Sequence, residues 1–136
     1  MIRIIKYVSI PVFIAAVIFY LCCLIPANDI PAVEIDFFIP TDKIVHFLMY
    51  FGLSGATALF YIHDNDGHVD MKKIWIGAII IPIMYGGAIE IIQDKFYPPR
   101  QGDWFDFLAD TLGSLAALPF IYYYKNKLLK TEKVRS

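Results

Sequence analysis

Four long apolar runs separated by short polar stretches set the pattern of the chain. Residues 7–25 carry no charge, and charges are sparse over 43–62, 74–92 and 104–124. Each run is about 19–21 residues long, enough at about 1.5 Å per residue to cross the roughly 30 Å hydrocarbon layer of a bilayer. The pattern predicts an all-α integral membrane bundle of four transmembrane helices, built as a single domain over residues 1–136. The first run reads as a retained span. It is longer than the apolar part of a usual signal peptide, and no small-x-small cleavage pattern follows closely. Pro40 marks the boundary of the second helix, with Thr41 or Asp42 as its cap. Pro82 predicts a kink in the third helix, and Tyr97-Pro98-Pro99 a turn after it. Small residues at Gly52, Ser54, Gly55, Ala56 and Gly86–Gly87 allow close helix packing.

The polar connections fix an orientation. With four spans, Arg3, Lys6, Lys72, Lys73, Lys125, Lys127, Lys130, Lys133 and Arg135 fall on one side, and Lys43, Lys95 and Arg100 on the other. This bias of nine against three places both termini in the cytoplasm, with a basic tail at 125–136. The loop at 28–41, with Asp29, Glu34 and Asp36, and the loop near Pro98-Pro99 then face outward. Within the polar stretch His63–Lys73, the segment DNDGHVD at Asp64–Asp70 resembles part of a calcium loop. It lacks the full spacing and the closing Glu, so it reads as a solvated turn.

Composition agrees with the membrane reading. The chain is 58% hydrophobic and 18% charged, against about a quarter charged in soluble domains. A net charge of −1, with no basic face once the tail is set aside, excludes a nucleic-acid partner. The two cysteines, Cys22 and Cys23, are adjacent in an apolar run and read as apolar filler.

Polar residues recur where lipid would not tolerate them. At 100° per residue, Asp42, His46, Tyr50, Leu53 and Thr57 share an arc of about 80°, as do Asp103, Asp106, Asp110, Gly113 and Ala117. Glu90 and Gln93 share a face of the third span. Asp110 lies about 10 Å into the fourth span. An unpaired carboxylate at such depth costs about 2.5–3.5 kcal/mol even on the lenient insertion scale. The three stripes are therefore expected to converge on an outward-facing polar pocket. Candidate catalytic groups are His46, backed by Asp42, together with Glu90, Asp106 and Asp110. Candidate substrate-binding groups are Arg100, Lys43, Tyr50, Gln93 and Asp103. Arg100 is expected either to clamp a substrate through its two-pronged guanidinium or to pair with the acids. His46, Asp106, Asp110 and Glu90 could supply oxygen and nitrogen ligands to a metal, but no recognised ligand spacing appears, and the sequence leaves any cofactor open. The rival reading is an internal polar cluster in which Lys43 and Arg100 neutralise the acids and hold the bundle together.

At these residues the chain resembles the VanZ-like family of small bacterial membrane proteins. The resemblance rests on D-K-x-x-H-F-x-x-Y at Asp42, Lys43, His46, Phe47 and Tyr50, on E-x-x-Q at Glu90 and Gln93, on Arg100, Asp103 and Asp106, and on D-x-x-G at Asp110 and Gly113. It covers about residues 41–117. Members often carry Asn where Asp110 stands here. The resemblance implies a multi-pass protein of the bacterial cytoplasmic (inner) membrane, in a family named for a link to resistance to the glycopeptide teicoplanin. Two functions remain open. One is an envelope enzyme acting on a membrane lipid, a lipid-linked envelope substrate or a glycopeptide. The other is a non-catalytic binder or accessory protein. A proton-coupled carrier is a third and weaker choice, which would need a homo-oligomer to form a pathway.

Overall fold

The computed structural model describes residues 2–26, 29 and 40–135, which are mostly helical with no strand among them. Four rods follow one another. α1 is Ile2–Phe19, continued by a wider π-helical stretch at Tyr20–Leu24; α2 is Thr41–Asp64; α3 is Met71–Phe96; α4 is Trp104–Arg135. Helices α2, α3 and α4 are each long and apolar enough to cross a membrane, and α1 contains the shorter apolar segment Val8–Leu24. Asn28, Pro31, Glu34 and Asp36 of the expected outward loop lie outside the described residues.

Local chemistry sets the helix ends. α2 starts directly after Pro40, with Thr41 as its first helical residue and no side-chain cap on Pro40. Asp42 in the first turn complements the partial positive charge of the helix N-terminus. Asp103 caps α4, its Oδ1 accepting the Phe105 N–H at 2.8 Å. In α3, Pro82 has no N–H to give the preceding turn, and the residues before it, Trp75–Ile80, form wider π-helical turns.

α4 does not stop where the apolar run stops. The expected basic tail continues the same helix to Arg135, because residues 125–135 are good helix formers without Gly or Pro. The α2–α3 turn leans on that extension. Asp66 (φ 51°) and Gly67 (φ 84°) both take left-handed backbone, and a Cβ at Gly67 would lie 3.0 Å from Leu129. His68 Nε2 meets Glu132 Oε2 at 2.7 Å, and His63 Nδ1 meets the Tyr124 hydroxyl at 3.0 Å.

The packing is centred on α2 and the first half of α4. At their crossing the backbones touch: a Cβ on Gly113 would overlap the Phe47 carbonyl. One apolar core, with Ala58, Ile62, Ile74, Ile79 and Ile121, fills the end of the bundle that holds the α2–α3 turn. A second, with Ile18, Cys22, Cys23, Tyr50, Leu53 and Ile89, lies toward the opposite end, beside the polar residues. Large apolar side chains such as Phe13, Leu48, Met84, Phe105 and Phe120 are more than half exposed on the outside of the bundle. Such a surface suits hydrocarbon.

Candidate functional site

The polar residues gather at the end of the bundle where α2 and α4 begin and α1 and α3 finish. At its mouth, the Lys43 ammonium donates to three carboxylates: Asp42 at 3.0 Å, Asp103 at 2.6 Å and Asp106 at 2.5 Å. The Lys43 ammonium holds the Asp103 carboxyl below its usual range, helped by the hydrogen bond from the Phe105 N–H. This one cation thus ties the first turn of α2 to the first turn of α4.

One turn deeper, His46 Nδ1 pairs with Asp110 Oδ1 at 2.9 Å, while its Nε2 lies 3.9 Å from Asp106 Oδ2. From α3, Glu90 Oε2 accepts the Asp103 N–H at 2.8 Å, so Glu90 also holds the start of α4. Gly86 lets α3 close over this floor. A Cβ there would come 2.8 Å from Asp110 Oδ2 and 3.2 Å from the Tyr50 ring. The Tyr50 hydroxyl, Ser54 Oγ, Glu90 Oε1, Asp110 Oδ2 and Ser114 Oγ are buried with no hydrogen-bond partner among the described residues. One nitrogen of His46 and one oxygen each of Glu90 and Asp110 lie within 4.8 Å of one another. An imidazole held against a fully buried carboxylate can keep and move a proton, and the same three residues can hold a cation.

His46, Lys43, Glu90, Asp103, Asp106 and Asp110 therefore meet, with Tyr50 at the base. Two expected roles change. Asp42 does not back His46; Asp110 does. Side chains on a helix lean toward its N-terminus, so Asp42 in the first turn of α2 points out of the bundle to Lys43. Arg100 does not pair with the acids either. Its Nη1 donates to the Cys22 carbonyl at 2.5 Å and its Nη2 to the Ile25 carbonyl at 2.7 Å. Gln93 Nε2 donates to the same Cys22 carbonyl at 2.7 Å. Both side chains cap the open C-terminal carbonyls of α1, where a cation also suits the helix dipole. No sequence signal marks a main-chain acceptor, so this pairing had none to offer. Beside it, Cys23, Ile25, Tyr97 and Arg100 line a cavity of about 280 Å³.

A larger groove of about 600 Å³ runs between α2 and α4. Ile44, Phe47, Phe105, Leu108 and Leu112 line it, and Lys43 stands at its polar end. Its walls are nearly all carbon, and Phe105 and Leu108 are at least half exposed toward the outside of the bundle. An apolar slot thus opens sideways and ends beside the carboxylate cluster.

Comparison with family models, with curated proteins and with solved structures finds no match for this chain.

Proposed function

We propose that this chain is a four-span protein of the bacterial cytoplasmic membrane, with both termini in the cytoplasm, that takes a lipid or lipid-linked envelope molecule from the outer leaflet. The hydrocarbon tail lies in the α2–α4 groove and the head group reaches the His46–Asp110 pair. The observation that carries this reading is an apolar, sideways-open groove that ends at Lys43, whose partners Asp103 and Asp106 lie above the buried His46–Asp110 pair. The resemblance to the VanZ-like family supports the envelope setting and makes teicoplanin susceptibility the cellular readout. Three carboxylates surround the one ammonium at the mouth, so the preferred head group offers hydroxyl or amine donors rather than a bare anion. In the enzyme reading, His46 takes a proton from that group and Asp110 stabilises the imidazolium. The second reading is a binder without turnover. It is favoured by the engagement of both Lys43 and Arg100 within the protein, which leaves neither cation free to stabilise a developing charge.

Photo-crosslinking in native-like vesicles tests the groove. A phospholipid with a diazirine on its acyl chain should label α2 and α4 peptides around Phe47 and Leu108 above the rest of the lipid-facing surface. Leu108→Trp, which fills the slot, should cut that labelling at least threefold. Even labelling around the whole bundle, unchanged by Leu108→Trp, means the groove holds only annular lipid and ends the proposal. Asp110→Asn separates the two readings: the enzyme reading loses turnover and keeps labelling, while the binder shows no turnover in either protein.

A further inference from the structure

Glu90 and Asp110 each leave one carboxylate oxygen, Oε1 and Oδ2, without a hydrogen-bond partner among the described residues, at 7% and 0% residue exposure. Burying such an oxygen unpaired is costly, and native interiors rarely do it without a reason. Each residue has its other oxygen fixed. Glu90 Oε2 accepts the Asp103 N–H, and Asp110 Oδ1 faces His46. One oxygen oriented by the protein and the other free to coordinate is the arrangement of carboxylates that hold metals.

Geometry and charge agree with it. One nitrogen of His46 and one oxygen each of Glu90 and Asp110 are within 4.8 Å of one another. A first-row divalent ion sits about 2.0–2.2 Å from such ligands, which in a tetrahedral shell puts the ligand atoms about 3.3–3.6 Å from one another. The three side chains therefore close by up to about 1.5 Å to share one ion. Asp42, Asp103 and Asp106 crowd Lys43 at the mouth, and below them Glu90 and Asp110 accompany His46 alone. Arg100 is turned away to the end of α1. An excess of carboxylate at membrane depth calls for a cation.

We propose that His46, Glu90 and Asp110, one from each of α2, α3 and α4, bind a single divalent cation of the zinc or manganese class. The mixed nitrogen and oxygen donors fit that class, and three protein ligands leave positions for water or a ligand oxygen. The inference goes beyond the lipid reading, and its test uses the metal alone with no lipid ligand, so either can fail without the other.

The full chain is purified in detergent, stripped with a chelator and titrated with Zn²⁺ by calorimetry. The expected result is one ion per chain. Asp110→Asn and Glu90→Gln should each weaken binding by at least about tenfold, since even loss of a group that only orients a ligand costs about 10–100-fold. His68→Ala removes the exposed His68–Glu132 pair, another place where zinc could attach, and should leave affinity unchanged. Absence of saturable binding by the wild-type chain overturns the proposal and leaves protons to neutralise the cluster. Unchanged affinity in both variants, with wild-type circular dichroism, overturns it too, as does loss of binding in His68→Ala.

Discussion

Arg100 illustrates how a charged side chain near a membrane helix can be spent on the backbone. The last carbonyls of a helix have no partner within it, and hydrocarbon supplies none. Arg100 reaches from the turn after α3 and gives one Nη to each of two carbonyls, Cys22 and Ile25. An ammonium has no fixed fork to span both. Arg100→Lys is therefore expected to lose one charged hydrogen bond, about 1.5–3 kcal/mol, seen as a lower melting temperature in detergent. Groove labelling by lipid should persist in the protein that remains folded, because the guanidinium does not face the groove. A normal melting temperature for Arg100→Lys would show that the α1 end does not need this cap. The Asp42 and Asp110 exchange belongs to the same scale. The stripe on α2 placed Asp42 and His46 on one face, but only the rotation of α4 against α2 decides which carboxylate reaches the imidazole. Sequence spacing within one helix carries no record of that rotation.

Among the elements, periodicity was the legible signal. The 3.6-residue repeat brought the polar faces of α2 and α4 to the right sides, and Glu90 with Gln93 to one face of α3, so the convergence of His46, Glu90, Asp106 and Asp110 could be anticipated. Helix lengths were less legible. The apolar run of α4 ends near Tyr124, yet the helix goes on, because helix formation follows backbone propensity and contacts with the α2–α3 turn as well as hydropathy. Gly113 shows why a small residue sits three positions after Asp110. The α4 backbone lies against the Phe47 carbonyl of α2, with no space for a methyl group. The obstacle is backbone, so it cannot swing aside. Gly113→Ala should force α2 and α4 apart, cost about 1–3 kcal/mol and loosen the Lys43–Asp106 and His46–Asp110 pairs. Gly52→Ala and Gly55→Ala are the controls, since a Cβ at either position meets nothing within 4 Å. These two should melt within a degree or two of the wild type, and equal losses in all three variants would remove the close crossing as the cause.

Across the whole molecule, charge and burial divide along the bundle axis. One end holds the carboxylates with Lys43 and Arg100; the other holds the apolar core, the α2–α3 turn and the basic extension of α4. Nine of the twelve Lys and Arg residues fall on the second side when α1 is counted as a span, and cytoplasmic loops carry such an excess. α1 continues into Tyr20–Leu24, so Ile2–Leu24 rises about 34 Å, of which the apolar segment Val8–Leu24 makes up about 25 Å. An impermeant thiol reagent applied to intact cells tests this arrangement, with the native Cys22 and Cys23 buried and giving little background. Gln101→Cys, in the exposed turn before α4, should label from outside. Ser136→Cys and a cysteine added ahead of Met1 should label only after the membrane is opened. Outside labelling at the added N-terminal cysteine alone would mean that α1 does not cross and that three spans remain. Outside labelling at Ser136→Cys with a protected Gln101→Cys would invert the bundle, and the acid cluster would then face the cytoplasm, out of reach of any outer-leaflet substrate.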